Sequence, residues 1–299
     1  MPLAIATYNL KDFFAIPRVP ADLFPRRVAY LSSRILASGA TLVALQEVGE
    51  SEALDALLAA LGASWTAIAG TPDDRGIRNA IITTETVRHS ELLSTKELPF
   101  PVFIAGDTPP FGPRLGLRRA IVRVDIEHAT YGDISVLCMH LKSNLPRALK
   151  LADGTEQPRL TGKEHAEAMI RSAVIRSAEA LFVRGVVDEL RSSTPPRQVC
   201  VAGDMNDDAR SLPLRILKGE GDDALLSAID HVKEHKRFTA LHRGKPAQLD
   251  HLLFSPELHA RVTNADIWNE DLYDHGPPGQ GAPMYVESDH ALHVATFQG

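Results

Sequence analysis

Short runs of apolar residues that end abruptly in polar side chains recur along the chain. The clearest run is Val199–Ala202, which Gly203 separates from the oxygen-rich residues 204–208. A continuous apolar run of this length is typical of a fully buried strand. If the backbone stays extended, Asp204 and Asn206 point the same way, because strand side chains alternate between faces. A carboxylate and an amide oxygen side by side suit a hard cation and a phosphate group, whereas an Asx-rich turn is the alternative interpretation.

The same pattern predicts strands and helices along the whole chain. Apolar residues at helical spacing followed by a glycine predict helices at Arg26–Ser38 and Glu52–Leu61. A long helix is predicted at Glu164–Leu190 and a short one at Leu212–Leu217. The apolar stripe of the long helix is expected to consist of Met169, Ala173, Val174, Ala178, Leu181, Phe182 and Val186. Strands are predicted at Leu3–Leu10, Thr41–Val48, Trp65–Ala69, Asn79–Thr84, Thr86–Ser94, Arg118–Ile126, Asp133–Met139, Val199–Ala202, Arg237–Leu241, Gln248–Phe254 and Ala291–Phe297. Loops are predicted at Lys11–Pro25, Leu98–Gly116, Lys142–Lys163 and Asn269–Glu287.

Polar side chains stand at one end of six of the predicted strands. Four strands end in a polar residue and two begin with one, and the positions are Asn9, Glu47, His140, Asp204, Asp250 and Asp289. If the second group runs antiparallel to the first, all six ends meet at one edge of the sheets. The pattern therefore predicts a composite active site at that edge.

Composition narrows the class of protein. The 299 residues are 44% hydrophobic and 23% charged, which is typical of a soluble globular chain, and we expect one domain over residues 1–299. The net charge of −6 excludes the global basicity of a dedicated nucleic-acid-binding protein. We expect no membrane span, a monomer and a cytoplasmic location, because the chain has no long apolar run and no leader-like N-terminus. Cys138 and Cys200 lie in apolar strand runs, which favours buried thiols over a disulfide.

The residues at the strand ends favour one kind of chemistry. They supply carboxylates, amides and two histidines, His140 and His290, but no cysteine, so a structural zinc site is disfavoured. An oxygen-rich set of this kind suits Mg²⁺ or Mn²⁺. A histidine oriented by a carboxylate can deprotonate water, and a metal can neutralise charge on a phosphoryl group. These features together suit hydrolysis of a phosphoester.

Seven short motifs carry a resemblance to a known family. They are Tyr8-Asn9-Leu10, Leu45-Gln46-Glu47-Val48, Arg78-Asn79-Ala80-Ile81-Ile82, His140-Leu141-Lys142-Ser143, Gly203-Asp204-Met205-Asn206-Asp207, Leu249-Asp250-His251 and Ser288-Asp289-His290. In this order, over residues 4 to 296, they resemble the endonuclease/exonuclease/phosphatase superfamily, and in particular its bacterial nuclease-like members. The resemblance implies a four-layer α/β/β/α sandwich of two mixed, mostly antiparallel sheets flanked by helices.

The resemblance also implies a role for each site residue. Glu47 is similar to the family's principal metal ligand, assisted by Asn9 and Asp289. Asp204 and Asn206 are similar to the pair that handles the nucleophile and the phosphate, with a second metal as an option.

Two histidines complete the implied site. His290 is similar to the general base that Asp250 orients, and His140 to the histidine that contacts the phosphate or the leaving group. Deoxyribonuclease-like members orient this second histidine with a glutamate, and the strand that begins at Ile77 carries no carboxylate at this point.

The substrate is the least determined feature. Arg78, Asn79 and Lys142 are candidates for phosphate contacts, although Arg78 and Asn79 could also simply begin a strand at the surface. The Lys142–Lys163 loop has five basic and two acidic residues, a net charge of +3. It could be a solvated loop or a groove for a phosphate backbone. The expected function is a Mg²⁺- or Mn²⁺-dependent nuclease on DNA or RNA, with a phosphatase or a sphingomyelinase-like phosphoesterase as the alternative and a non-catalytic binding protein as a third possibility.

Overall fold

The computed structural model describes residues 2–15, 22–157, 160–242, 244–274 and 285–298. Its strands are β1 (Ala4–Phe13), β2 (Leu42–Val48), β3 (Thr66–Ala69), β4 (Arg78–Thr83), β5 (Val87–Leu93), β6 (Ile121–His128), β7 (Gly132–His140), β8 (Gln198–Asp204), β9 (Leu226–Ser227), β10 (Ala240–His242), β11 (Lys245–Ala247), β12 (Asp250–Phe254), β13 (Val262–Trp268) and β14 (Leu292–Phe297). Its α-helices are α1 (Leu23–Ala37), α2 (Ser51–Leu61), α3 (Gly162–Arg191), α4 (Leu212–Lys218) and α5 (Pro256–His259). Short 3-10 helices lie at Gly112–Arg114, Ala228–His231 and Glu234–Lys236.

The larger strands form two six-stranded sheets. The first has the order β13-β14-β1-β2-β4-β3 and the second the order β5-β6-β7-β8-β12-β9. Each sheet is antiparallel except at its centre, where β1 pairs with β2 and β7 pairs with β8 in parallel. The parallel pair in each sheet places two carboxyl-terminal strand ends side by side.

The hydrophobic core has three parts, which correspond to the interfaces between four layers. Residues such as Ile5, Val124 and Phe254 fill the space between the two sheets. Helices α1 and α2 pack on the outer face of the first sheet, through residues that include Leu31 and Leu57. Helices α3 and α4 cover the second sheet in the same way. The α/β/β/α sandwich expected from the resemblance is therefore confirmed.

Several local predictions were wrong. The predicted strand Arg237–Leu241 is mostly irregular, and only its end belongs to the short strand β10. Strand β13 was not predicted, because it is an edge strand whose exposed positions carry polar residues and weaken the apolar pattern. Part of the predicted loop Lys11–Pro25 is regular structure, since β1 continues to Phe13 and α1 begins at Leu23; its residues 16–21 lie outside the described residues.

Helix α3 buries a different face from the predicted stripe. Of the expected stripe residues only Ala178 is fully buried, and Met169 is 53% exposed. The buried face instead includes the polar residues Ser172, Arg176 and Glu179. The predicted stripe is offset by about one residue from the buried face, because polar residues occupy positions on that face that amphipathic periodicity assigns to apolar ones.

The expectation for the two cysteines is confirmed. Both Cys138 and Cys200 are free and buried. Burial raises the pKa of the Cys138 thiol to about 12, which keeps it protonated at neutral pH.

Candidate active site

Strand register brings three of the candidate side chains together on the second sheet. Asp204 at the end of β8 lies opposite His140 of β7 on one side and Asp250 of β12 on the other. Gly203 makes this alignment possible: its φ is +151°, and a Cβ atom there would lie 1.9 Å from the carbonyl oxygen of Met139. The predicted convergence of these strand ends is therefore found in the structure.

Asp204 is the centre of the site and joins the two sheets. Its Oδ2 accepts a hydrogen bond from Nδ2 of Asn9 in the first sheet at 3.0 Å, and its Oδ1 accepts one from the backbone N–H of Asn206 at 2.9 Å. Burial raises the pKa of Asp204 to about 7; the positive charge of His290 opposes this shift, and the negative charge of Asp250 adds to it. The carboxyl group is thus held in a dry, hydrogen-bonded position between the sheets.

His290 and Asp250 form a tight pair. Nδ1 of His290 lies 2.7 Å from Oδ2 of Asp250, which is completely buried. Burial alone would lower the pKa of His290, but the charges of Asp250 and Asp204 outweigh it and raise this pKa to about 10. The pairing fixes which nitrogen is engaged and leaves Nε2 facing Asp204, 3.9 Å away.

Two hydroxyl groups hold this pair in place. The Ser288 hydroxyl accepts a hydrogen bond from the backbone N–H of His290 at 3.0 Å and donates one to the carbonyl of Asn9 at 2.6 Å. The Thr239 hydroxyl accepts a hydrogen bond from the backbone N–H of Asp250 at 3.0 Å. Both hydroxyl groups restrict the backbone from which the pair projects.

A second group of carboxylates surrounds Lys11. Its Nζ lies 3.0 Å from Oδ2 of Asp289, and Glu47 is close enough to affect its charge. Burial alone would lower the pKa of Lys11, but Asp289 and Glu47 outweigh burial and raise it. The guanidinium of Arg75 lies 3.8 Å from Oε2 of Glu47 and bonds to Asp12 at 2.6 Å. This part of the site therefore attracts and holds cationic groups.

Backbone strain is concentrated in the same place. In the described part of the chain, the non-glycine residues with positive φ are Lys11, Asp12, Glu47 and Asn206. β1 and β2 lose their regular pairing between Asn9 and Phe13, as β2 and β4 do between Leu45 and Val48. Irregularities of this kind re-aim side chains and are frequent at functional sites.

Among the described residues, no carboxylate orients the His140 ring through its Nδ1. Its Nε2 lies 3.5 Å from Oδ2 of Asp204, and its buried Nδ1 has no hydrogen-bond partner among the described residues. Burial, and then the charges of Arg119 and His290, hold the pKa of His140 well below its usual range. The ring is therefore neutral, as the absence of a glutamate in the Ile77 strand suggests.

The amide of Asn206 has a defined orientation. Its Nδ2 donates to the carbonyl of Leu141 at 3.0 Å, an assignment that follows from the hydrogen-bond network. This leaves its Oδ1 as an acceptor for a water molecule, a metal or a protonated ligand.

The three candidates for phosphate contacts occupy less favourable positions. Asn79 is buried, and its Nδ2 donates to the carbonyl of Ala120 at 2.9 Å. Nζ of Lys142 donates to the carbonyl groups of Ser143 and Leu145 at 2.8 and 3.0 Å, so its charge is directed into its own loop. Arg78 is partly buried at the start of β4. This geometry does not favour a direct phosphate contact by Asn79 or Lys142.

Comparison with known proteins now adds to the geometry. Residues 6–290 match the profile of the Endonuclease/Exonuclease/phosphatase family. The chain belongs to this family. Membership indicates a metal-dependent phosphoester hydrolase. A comparison with curated proteins gives no significant match.

Three solved structures are similar to this chain over nearly their full length. A family member from Bacteroides vulgatus is 14% identical, with 100% of this chain and 99% of that chain covered and a TM-score of 0.61. A humanized D. rerio TDP2 carrying 14 mutations is 15% identical, with 99% of each chain covered and a TM-score of 0.64. The Bacteroides thetaiotaomicron mannosyl-6-phosphatase Bt3783 is 16% identical, with 98% of each chain covered and a TM-score of 0.61. At these identities the likeness shows the fold alone.

Among the helices of the described residues, none combines the length and apolar character that crossing a bilayer requires.

Two neighbouring groups could hold the metal that this family uses. Donor atoms of Asp204, Asp250 and His290 all lie within 4.8 Å of one another. However, the hydrogen bond between His290 and Asp250 already occupies one donor atom of each residue. The group around Glu47 and Asp289 offers carboxylate oxygens and already stabilises an ammonium. These carboxylate oxygens are ligands of the kind that a hard divalent cation prefers.

Sequence reasoning missed several charged residues around the site, namely Lys11, Arg75, Arg119, Arg176 and Glu179. Most of them lie on loops or on a helix, where a charged residue is normally solvated, so no local pattern marks them. A signal did exist on α3, where Ser172, Arg176 and Glu179 follow one another at helical spacing on one face.

Proposed function

We propose that this protein is a divalent-metal-dependent phosphodiesterase that hydrolyses DNA or RNA. The observation that carries the proposal is the meeting of the His290–Asp250 pair, Asp204 and the Glu47–Asp289 group at one edge of the sandwich. An acid–base pair beside an oxygen-rich cation site is the equipment that metal-assisted hydrolysis of a phosphoester needs.

In this proposal Glu47 is the principal metal ligand, with Asp289 and Asn9 as supporting ligands. Asp204 and Asn206 hold the nucleophile and the phosphate, or a second ion. A bound Mg²⁺ or Mn²⁺ would act as a Lewis acid on a phosphoryl oxygen and would offset the carboxylate charge that otherwise keeps His290 protonated.

The acid–base work is assigned to the His290–Asp250 pair. Neutral His290 accepts a proton from water at Nε2, while Asp250 keeps the ring oriented and stabilises the imidazolium that forms. Asn206 Oδ1 is free to accept a hydrogen bond from the same water, because its amide nitrogen is bound to Leu141.

His140 is assigned to the phosphate. Its neutral ring can donate one hydrogen bond to a non-bridging oxygen as negative charge accumulates there. General-acid catalysis by His140 is disfavoured, because a ring with so low a pKa carries no second proton at neutral pH.

A nucleic-acid substrate is supported by cations around the acidic centre. The side chains of Lys11, Arg75 and Arg118 are 41%, 46% and 34% exposed. A polyanion needs contacts with phosphates on both sides of the scissile one, and such contacts are typically made by arginine and lysine.

The Lys142–Lys163 loop contributes less to this surface than its composition indicates. Lys142 is directed inward, Lys163 pairs with Glu167, and Arg159 lies outside the described residues. Arg147 and Lys150 remain exposed.

The proposal is tested with a substrate panel of plasmid DNA, single-stranded DNA, RNA, bis-p-nitrophenyl phosphate, p-nitrophenyl phosphate and sphingomyelin. We expect Mg²⁺- or Mn²⁺-dependent cleavage of a nucleic acid, loss of activity in EDTA and no activity in His290→Ala. Activity restricted to the monoester or to sphingomyelin would replace the nuclease with the alternative phosphoesterase. No turnover of any substrate with either metal would reject catalysis.

A further inference from the structure

The loop that follows His140 has its backbone bound by side chains from several other elements. Arg119 donates to the carbonyl of His140 at 3.1 Å. The N–H of Leu141 donates to the carbonyl of Asp204 at 3.0 Å, and the carbonyl of Leu141 accepts from Asn206 at 3.0 Å. Leu141 and Lys142 are buried and lie outside the strands, so each backbone group requires such a partner.

Helix α3 supplies the remaining partners, from two buried charged residues. Oε2 of Glu179 accepts a hydrogen bond from the backbone N–H of Lys142 at 2.7 Å. Nη1 of Arg176 donates to the carbonyl of Lys142 at 3.2 Å. Arg176 and Glu179 are 5% and 4% exposed, although residues of this type are almost never so buried unless they are paired.

Arg176 also contacts the loop that follows β8 and carries Asn206. Its Nε lies 2.8 Å from Oδ2 of Asp207, which directly follows Asn206. The φ of Asn206 is +52°, a conformation that persists only when its surroundings impose it. One guanidinium group therefore connects the loop after His140 with the loop that carries Asn206.

We infer that Arg176 and Glu179 are positioning residues that hold the His140 and Asn206 loops in register. The inference rests on the proposed function, because it concerns the same site. It explains why a long amphipathic helix buries two charged side chains where apolar ones would fit. Neither residue reaches the reacting atoms, so each acts through the loop that it holds.

The first test uses double-mutant cycles on bis-p-nitrophenyl phosphate, a substrate too small to report on remote contacts. Because small misplacements of catalytic groups are costly, we expect Arg176→Gln to lower kcat by about 10- to 100-fold with little change in KM. In the Asn206→Ala background the same change should cost less than about 3-fold, because Arg176 acts through Asn206. A second cycle combines Glu179→Ala with His140→Ala. Glu179→Ala should likewise lower kcat in the otherwise unchanged protein and should cost much less in the His140→Ala background. Losses that multiply fully in both cycles would overturn the inference.

Arg191 provides a matched control on the same helix. It is a buried arginine with ion pairs to Asp223 and Glu257, and it lies 15 residues beyond Arg176, about 22 Å along the helix. Arg191→Gln should lower the Tm without changing kcat. Arg176→Lys, which keeps the charge but not the forked geometry, should recover only part of the activity and provides a variant more certain to fold.

Amide hydrogen exchange gives a readout that does not depend on activity. In metal-free protein, Arg176→Gln and Glu179→Ala should increase exchange in residues 141–143 and 204–208, and Arg191→Gln should not. If the wild type hydrolyses no phosphoester, the proposed function fails while this measurement still tests the positioning role. Unchanged exchange in both segments would reject that role whatever the activity.

Discussion

Neutralising Asp250 should expose how strongly the carboxylates control His290. Asp250→Asn keeps the shape of the side chain and removes the charge next to Nδ1 of His290, 2.7 Å away. A hydrogen bond between charged groups contributes about 1.5–3 kcal/mol. At about 1.4 kcal/mol per pKa unit, its loss should lower the pKa of His290 by roughly 1–2 units from its value near 10.

The assay is an NMR titration of the histidine imidazoles in metal-free protein. The His290 signal is assigned by its absence from the His290→Ala spectrum. Asp204 is unchanged in the variant and should still keep the pKa of His290 partly raised. The same substitution should lower kcat, because the neutral amide no longer stabilises the imidazolium. In the Asp250→Asn, His290→Ala double variant the losses should be far from multiplicative.

This pair also predicts how stability depends on pH. The pKa of His290 is higher in the folded chain than the ordinary value of 6.5, so its contribution is fully present below pH 6.5 and is lost as the pH rises toward 10. Asp250→Asn should flatten this loss in chemical unfolding of the metal-free protein. An unchanged pKa of His290 in Asp250→Asn, together with an unchanged pH profile of stability, would refute the assigned pairing.

Three further predictions test other parts of the molecule. Glu47→Gln should remove most activity and weaken Mn²⁺ binding in calorimetry without lowering the Tm; wild-type turnover that persists in EDTA would exclude the metal mechanism. In a catalytically inactive background, Arg75→Ala and Arg118→Ala should each reduce the salt slope of oligonucleotide binding by about 1, whereas Lys163→Ala, at the start of α3 and outside the group of Lys11, Arg75 and Arg118, should not; equal slopes would remove the support for a nucleic-acid substrate. Burial and the neighbouring His251 lower the pKa of His293 to about 4, so stability should fall from pH 6.5 toward pH 4, by on the order of 3 kcal/mol, and His293→Gln should abolish this component; the same acid loss in both proteins would contradict it.

The sequence predicts the strands and the edge where they meet better than it predicts the rest. Apolar runs such as Val199–Ala202 are locally unambiguous, and their terminal polar residues mark one edge because the strands end there together. Pairing order is not local: β1 lies next to β14, which comes almost 300 residues later. The order of the strands in the sheets was expected only from the resemblance of the seven motifs to a family of known fold. Edge strand β13 was not predicted, because half-exposed strands have a weak apolar pattern.

The candidate site likewise contains some residues that the sequence predicts and others that it does not. Residues fixed by strand ends, such as Asp204 and Asp250, could be found from the chain alone. Lys11 and Arg75 could not, since only the folded chain brings them to Glu47 and Asp289. The net charge of the Lys142–Lys163 segment overestimated its capacity to bind phosphates. Composition counts every charge, whereas in the folded chain Lys142 donates to backbone carbonyls.

Helix α3 shows why such errors indicate function rather than chance. A helix that covers a sheet gains most by burying apolar side chains, and its sequence would normally reveal that face. Here the face next to the site buries Arg176 and Glu179, which bind the backbone of the loop after His140 and the side chain of Asp207, and make the apolar pattern appear one residue out of phase. Farther along the same helix Val183 and Val187 restore the ordinary apolar contact with the sheet. The departure from amphipathicity at Arg176 and Glu179 thus lies next to the catalytic loops, as expected where the needs of a site override those of packing.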